Sequence, residues 1–227
     1  IQAVVLNSIY STIKDELVFK GGTALFFIFN LPRFSEDLDF TMIKQINKKA
    51  VMSNITKDLD MLGIKNKISN IEENAISFSF RVDAEGPLFT KEIERCYVRC
   101  EISKRENVEN VSIREIRSIY PGIPNFSVCF MKEEEILAEK IRALLTRNKA
   151  RDLYDLYFLL KMNIKIDFQL IDKKLEYYDE KFKIRELNRK INKMKSIWEA
   201  ELTPFIIGEL PKFNEVKKLV LSRLKAK

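Results

Sequence analysis

The chain contains no histidine, and only three of its 227 residues are cysteine. Without imidazole, a His-based catalytic triad, a His-ligated zinc site and a histidine general base are all excluded. Cys96, Cys100 and Cys129 are too few, and odd in number, for a disulfide framework. Cys96 and Cys100 alternate with polar residues and read as strand thiols turned toward a core, which points to a reducing, cytoplasmic setting. Glycine and proline are scarce, six of each. With 46% hydrophobic and 32% charged residues, the chain is neither collagen-like nor low-complexity nor disordered. No apolar run approaches the ~20 residues that cross a bilayer. The most apolar early stretch, Ala24 to Leu31, is bracketed by Lys20 and Arg33 and lacks the flanks of a signal peptide, so no membrane partner is expected. What is present is enough chain to bury a core as one large or two small domains.

The formal charge of +7 is uneven. Residues 1–100 hold 13 basic and 13 acidic side chains, and residues 101–160 hold 10 of each. Residues 161–227 hold 17 basic and 10 acidic, so the whole surplus lies in the last third. A neutral front and a basic tail suit a catalytic or binding core joined to a surface for a polyanion such as RNA; a lysine-rich solvated helix face is the plainer alternative.

Hydrophobic spacing predicts helices over 1–16, 45–62, 132–147 and 151–160, with further lysine-rich helices from 167 onward interrupted at Pro204 and Pro211. Strands are predicted at Leu17–Phe19, Leu38–Met42, Ile64–Ile71, Ala75–Val82 and Glu94–Ser103, the last two by strict alternation. The Pro121-Gly122-Ile123-Pro124 loop is the natural boundary between a mixed α/β part, 1–120, and a helical, lysine-rich part, 121–227.

The strand ending at Lys20 runs through Gly21-Gly22-Thr23 into a helix closed by Asn30 and Pro32. Free N–H groups at a helix start, with glycines that let an anion approach, suit a phosphate. The spacing is not that of a Walker loop. Fourteen residues beyond Thr23 comes Asp37-Leu-Asp39. On a strand, residues two apart share a face, so both carboxylates project together and repel unless a cation lies between them. Magnesium prefers such carboxylates combined with substrate phosphate oxygens.

The run from Lys20-Gly-Gly-Thr-Ala-Leu to Arg33-Phe-Ser-Glu-Asp-Leu-Asp-Phe40 resembles the signature of the nucleotidyltransferase superfamily with the DNA polymerase β-like fold, and more narrowly the AbiEii/AbiGii toxin family. Glu139-Lys140-Ile-Arg-Ala-Leu-Leu-Thr-Arg147 and Arg151-Asp152-Leu-Tyr-Asp155 resemble that family's later motifs. The resemblance spans roughly residues 15–160. It implies an α/β (α+β) fold, a small mixed sheet flanked by helices and followed by a helical C-terminal region. It also implies transfer of a nucleoside monophosphate from a nucleoside triphosphate to an acceptor hydroxyl, with Mg²⁺ (or Mn²⁺) as cofactor. RNA, such as a tRNA 3′ end, is the implied acceptor, and a cognate antitoxin the implied partner in a toxin–antitoxin or phage-defence system. Transfer to a protein or small molecule, or a non-catalytic nucleotide- or RNA-binding module, are the alternatives.

By the same resemblance Asp37 and Asp39 bind metal, and Gly21, Gly22, Thr23, Arg33 and Ser35 belong to the nucleotide site. For Arg33 and Ser35 the competing role is to fix the turn before the strand. Glu101, on the polar face of an alternating strand, is the candidate third metal carboxylate; a surface pairing with Arg99 or Lys104 competes, and Asp83 is a weaker alternative. Lys140 and Arg147 lie seven residues apart on one helix face and would neutralise the triphosphate as pyrophosphate leaves, unless they merely pair with Glu133 to Glu135. Asp152 either caps its helix or orients Lys140, and Asp155 is assigned a structural role. Tyr154, Tyr157 and Phe158 read as core. Residues 173–195, with nine basic and four acidic side chains interleaved with Tyr177, Tyr178 and Phe182, are the candidate nucleic-acid surface.

Overall fold

The computed structural model describes residues 1–118 and 122–225. They form two compact units, Ile1–Phe29 with Glu36–Met131, and Asn30–Ser35 with Lys132–Lys227.

The first unit is a mixed sheet with helices. In chain order it comprises α1 (Gln2–Thr12), β1 (Leu17–Lys20), α2 (Gly21–Phe29), β2 (Leu38–Met42), α3 (Lys48–Met61), β3 (Asn66–Glu73), β4 (Ser77–Ala84), β5 (Cys96–Ser103), β6 (Val111–Ile116) and β7 (Phe126–Met131). The seven described strands are ordered β3-β4-β5-β2-β1-β7-β6. β2–β5 and β1–β7 are parallel and the other pairs antiparallel.

Period-two alternation separates the two faces of this sheet. Leu17, Phe19, Leu38, Phe40, Phe78, Phe80, Val98, Cys100 and Ile102 are buried in one core with Val5, Ile9, Val51, Ile55 and Leu59 of α1 and α3. Those helices are also joined by polar contacts. Ser8 donates to an Asp58 carboxylate oxygen at 2.6 Å, and the Asn54 amide donates to the Thr12 hydroxyl at 2.8 Å. The other face carries Lys20, Asp39, Thr41, Ser79, Arg81, Arg99 and Glu101, placed there by register.

The sequence reading assigned no strand to β6 or β7. Phe126–Met131 is buried at five of six positions, so its alternation is lost, and Ile113 of β6 is 71% exposed although apolar. β7 is an interior strand buried on both faces and β6 an exposed edge strand, and periodicity reads both poorly. The expected boundary between 120 and 121 lies outside the described residues. The compact units part after Met131, because β7 pairs with both β1 and β6.

The second unit contains α4 (Glu133–Thr146), α5 (Ala150–Lys161), α6 (Phe168–Glu176), α7 (Ile184–Lys193), α8 (Trp198–Leu202) and α9 (Phe213–Leu224). Three glutamates in the first turn of α4 favour its start through the helix dipole. Its core includes Leu153, Leu156, Leu159, Ile171, Leu187, Ile191, Trp198, Val216 and Val220. Tyr154 is buried and lies 6.4 Å from the Trp198 ring, while Tyr157 and Phe158 are half-buried. The segment 30–35 joins this unit by backbone pairing: the Phe34 N–H donates to the Phe205 carbonyl at 2.8 Å, and the Ile207 N–H to the Pro32 carbonyl at 2.9 Å. Asn30, at φ 58°, turns the chain out of α2 in the left-handed conformation favoured at helix ends.

Phe40 is fully buried, with ring centroids 5.4 Å from Phe19 and 6.4 Å from Tyr10. Phe40→Ala should lower the unfolding free energy by about 3–5 kcal/mol, read from the denaturant midpoint at unchanged slope.

Candidate active site

In the sheet unit, β1 and β2 pair antiparallel so that Lys20 lies directly across from Asp39. The chain then turns sharply. Gly21 has φ +77°, and a Cβ there would lie 3.0 Å from the Cβ and Cγ of Asp39 and closer still to Oδ2. Only glycine both adopts this backbone conformation readily and leaves room for the Asp39 carboxylate. Gly22 and Thr23 are buried in the first turn of α2. The Thr23 hydroxyl donates to the Asp37 carbonyl, fixing the start of α2 to the start of β2. Thr23 thus uses its side chain to position the Asp-x-Asp segment rather than presenting it to a phosphate.

Asp37 and Asp39 are both half-buried; Asp39 lies on β2, and Asp37 immediately precedes that strand. The parallel register puts Glu101 directly beside Asp39 on the same face. Glu101 Oε1 forms an ion pair with Arg99 Nε at 2.9 Å, the pairing that competed with a metal role for it. Asp83, the weaker alternative, is 2% exposed and forks with Arg81 at 2.6 and 3.2 Å, which occupies it structurally. Asp37, Asp39 and Glu101 offer the hard oxygen donors that a magnesium ion takes, and the bare Gly21 Cα gives one of them its room. Among the described residues, no group of three or more Cys, Asp or Glu is gathered closely enough to hold an ion by itself. An ion on Asp37 and Asp39 would draw its remaining ligands from substrate and water. Cys100, on the opposite face, is inert: burial raises its thiol pKa, and the charges of Asp37 and Asp39 raise it further.

Two polar residues here escaped the sequence reading. Lys20 is 7% exposed and lies 3.7 Å from Glu106, itself 6% exposed; Glu106 also accepts from the Ser103 hydroxyl at 2.5 Å. Lys20 could have been suspected from its position before Gly21. Glu106 sits in a charged loop with no periodic signal.

In the helical unit, the remaining candidates form one chain of ion pairs. Arg33 is buried, and its guanidinium forks onto Asp155 with both N···O distances 2.7 Å, while Nη1 donates to the Phe34 carbonyl at 2.8 Å. Lys140 Nζ lies 2.8 Å from Asp155 and 3.0 Å from Asp152. Asp152 also accepts from Arg147 Nε at 2.7 Å and Nη2 at 2.9 Å. The Arg147 side chain is 56% exposed and carries the network to the surface. Three cations against two carboxylates leave a net charge of +1.

This arrangement gives Asp155 the structural role assigned to it and Arg33 the structural one of its two. Arg33 holds Asp155 instead of lying open to a nucleotide, and Asp155 is as central to the network as Asp152. Lys140 does not pair with Glu133 to Glu135; Glu135 is taken by buried Lys174 at 2.6 Å. Asp152 does meet Lys140, the orienting contact expected of it. Ser35 is half-buried in the same segment as Arg33.

The model of the nucleotidyl transferase AbiEii toxin family, type IV toxin–antitoxin system, matches residues 5–218. The chain belongs to this family. It is accordingly a nucleotidyltransferase of toxin type, and the family implies a nucleotide substrate, a divalent metal and a cognate antitoxin. Solved structures agree in fold. A protein from H. pylori described as a candidate nucleotidyltransferase has a TM-score of 0.67 at 22% identity, covering 98% of this chain and 90% of its own. JHP933 from Helicobacter pylori gives 0.59 at 21%, covering 98% and 88%. MenT4, a nucleotidyltransferase toxin from Mycobacterium tuberculosis H37Rv, gives 0.67 at 19%, covering 98% and 80%. No curated protein matches the chain. No helix among the described residues is long and apolar enough to cross a membrane.

Electrostatics in this AbiEii-family chain are dominated by the buried network. Burial alone would raise the pKa of Asp155, but Arg33 and Lys140 overcome it and hold it below the ordinary carboxylate value. Asp152 is likewise pushed up by burial and pulled lower overall by Lys140 and Arg147. Burial pulls Lys140 down, and Asp155 and Asp152 more than reverse it. Depressed carboxylates contribute stability above their unfolded pKa, ~3.9, that is lost as the pH falls toward their folded values. Asp155→Asn should therefore cost about 3–5 kcal/mol at pH 7, by taking from buried Arg33 its carboxylate partner and leaving Lys140 with Asp152 alone. The same variant should also flatten the loss of stability below about pH 4. Chemical denaturation from pH 3 to 7 reads both effects.

Proposed function

We propose that this nucleotidyltransferase moves a nucleoside monophosphate from a nucleoside triphosphate to an RNA hydroxyl in the cytoplasm, with Mg²⁺ (or Mn²⁺) as the ion. The observation that carries this reading is Asp39 on the polar sheet face, beside Glu101 and against the bare Gly21 Cα, with Asp37 two residues before it. Carboxylates this close in the chain repel one another, and a divalent ion with a triphosphate offsets that repulsion. When bound, the ion supplies charge neutralisation and lowers the pKa of the attacking hydroxyl.

In this reading Asp37 and Asp39 hold the ion, with Glu101 as the third carboxylate if it leaves Arg99. The N–H groups of Gly21, Gly22 and Thr23 are the phosphate donors at the start of α2. Lys140 and Arg147 provide positive charge for the triphosphate, Asp152 holds both, and Arg33 and Ser35 support the segment between α2 and β2. The acceptor hydroxyl loses its proton and forms a new O–P bond to the α-phosphorus; the α–β bridging bond breaks and pyrophosphate leaves. With no histidine in the chain, the proton passes to a carboxylate or to water.

RNA as acceptor is supported by the basic surplus of residues 161–227. Lys173, Lys181, Lys183, Arg185, Arg189 and Lys193 are exposed, while Lys174 is buried on Glu135 and does not count toward that surface. In functional terms the nucleotidyltransferase core is the first part of the chain, and the lysine-rich helices are the RNA-facing part. The test is a transfer assay with Mg²⁺, each of four α-³²P-labelled nucleoside triphosphates and total cellular RNA. Wild type should label an RNA band, and Asp37→Asn/Asp39→Asn should abolish labelling while changing the unfolding free energy by no more than about 1 kcal/mol. Equal labelling by the variant would remove the metal assignment; label on protein alone would remove the RNA acceptor.

A further inference from the structure

The polar face of the sheet does not end at the carboxylates. It continues from β2 across β5 to β4 and β3, and its next residues are aromatic and basic. Register places Arg99 and Tyr97 on the same face as Glu101, at successive alternate positions of β5. Arg99 is cross-strand to Arg81 on β4, and Tyr97 to Asp83.

Tyr97, near the start of β5 where β4 alone pairs with it, is 47% exposed. It is held in place all the same: the Arg81 guanidinium lies 4.5 Å from its ring centroid. Arg81 is in turn fixed by the Asp83 carboxylate and by a 3.3 Å bond to the Ser69 hydroxyl. The Arg99 side chain is 50% exposed and Lys67, on β3, 69% exposed. An exposed, pre-positioned tyrosine flanked by exposed cations is the arrangement that lets a sheet stack an unpaired base and hold its phosphates. Core packing does not account for it, since these side chains point away from the apolar face. Tyr97 and Glu101 are four residues apart on one strand, about 13 Å at ~3.3 Å per residue. That span is a few nucleotides.

We propose that Tyr97, backed by Arg81 and flanked by Arg99 and Lys67, is a binding platform for the single-stranded end of the RNA acceptor. A base stacks on Tyr97, and the chain runs along β5 so that the terminal hydroxyl reaches Asp37 and Asp39. The proposal rests on the RNA-acceptor reading above and gives it a location in the sheet unit, separate from the lysine-rich helices. Arg99 has a double part in it: paired with Glu101 as now, or turned to an RNA phosphate when Glu101 takes up a metal.

The test uses the full chain carrying Asp37→Asn/Asp39→Asn, so that binding is read without turnover, and a fluorescein-labelled eight-nucleotide single-stranded RNA. Anisotropy gives Kd for this protein and for versions with Tyr97→Ala or Tyr97→Phe. The otherwise wild-type enzyme with the same Tyr97 changes gives KM for RNA and for the nucleoside triphosphate. Tyr97→Ala should raise Kd and the RNA KM by about tenfold or more, the size of one lost base stack, and leave the triphosphate KM unchanged. Tyr97→Phe should keep both, since it retains the ring. Unchanged RNA affinity in Tyr97→Ala overturns the platform. RNA labelled in the transfer assay without binding of the short oligonucleotide overturns the platform and leaves the RNA acceptor standing. RNA neither bound nor labelled removes the acceptor reading itself, and the platform with it.

Discussion

The Asp39 carboxylate occupies the space where any other residue at position 21 would carry its Cβ. Much of the sheet unit follows from that contact. It demands glycine at a positive φ, and so fixes the sharp passage from β1 into α2. The Thr23 bond to the Asp37 carbonyl then ties α2 to β2. Two like charges two residues apart are thereby held by backbone geometry at the start of β2. A cation is the natural counterpart of such a pair, and the burial of Phe40 and Leu38 on the opposite face keeps the strand from slipping register.

The helical unit solves a different electrostatic problem. Arg33, Asp155, Lys140, Asp152 and Arg147 alternate in sign along one chain of contacts. Each buried charge has at least one partner of opposite sign within 3.0 Å, so none is left to carry the full cost of leaving water. The surplus positive charge emerges at Arg147, the exposed end. A buried network of this kind holds its side chains in one geometry. The backbone pairing of Pro32 and Phe34 with residues 205–207 sets Arg33 in place.

Much of this was legible in the sequence. The Gly-Gly turn and the Asp-x-Asp run carried the resemblance to the family, and strict alternation located β4 and β5. Seven-residue spacing suggested one helix face for Lys140 and Arg147, but α4 ends at Thr146 and Arg147 is extended backbone just beyond it; the two meet through Asp152. What escaped had a common physical cause. β7 is buried along nearly its whole length and β6 exposes an isoleucine, so neither shows the alternation that marks a half-buried strand. Arg33 and Asp155 are 122 residues apart, and no local pattern announces a pairing at that separation. Arg33 therefore read as a nucleotide ligand or a turn-fixing residue, and Asp155 as structural but without a named partner. Lys20 and Glu106 were missed for the same reason: their contact exists only once the sheet has formed.

The central claim is that Asp37 and Asp39 are the ion-binding edge of the enzyme. Crystals grown with Mn²⁺ and a non-hydrolysable nucleoside triphosphate, measured for anomalous scattering, test it most directly. The account predicts a manganese peak within coordination distance, about 2.0–2.3 Å, of carboxylate oxygens from both residues. A peak bound elsewhere, with Asp37 and Asp39 bare, would contradict it.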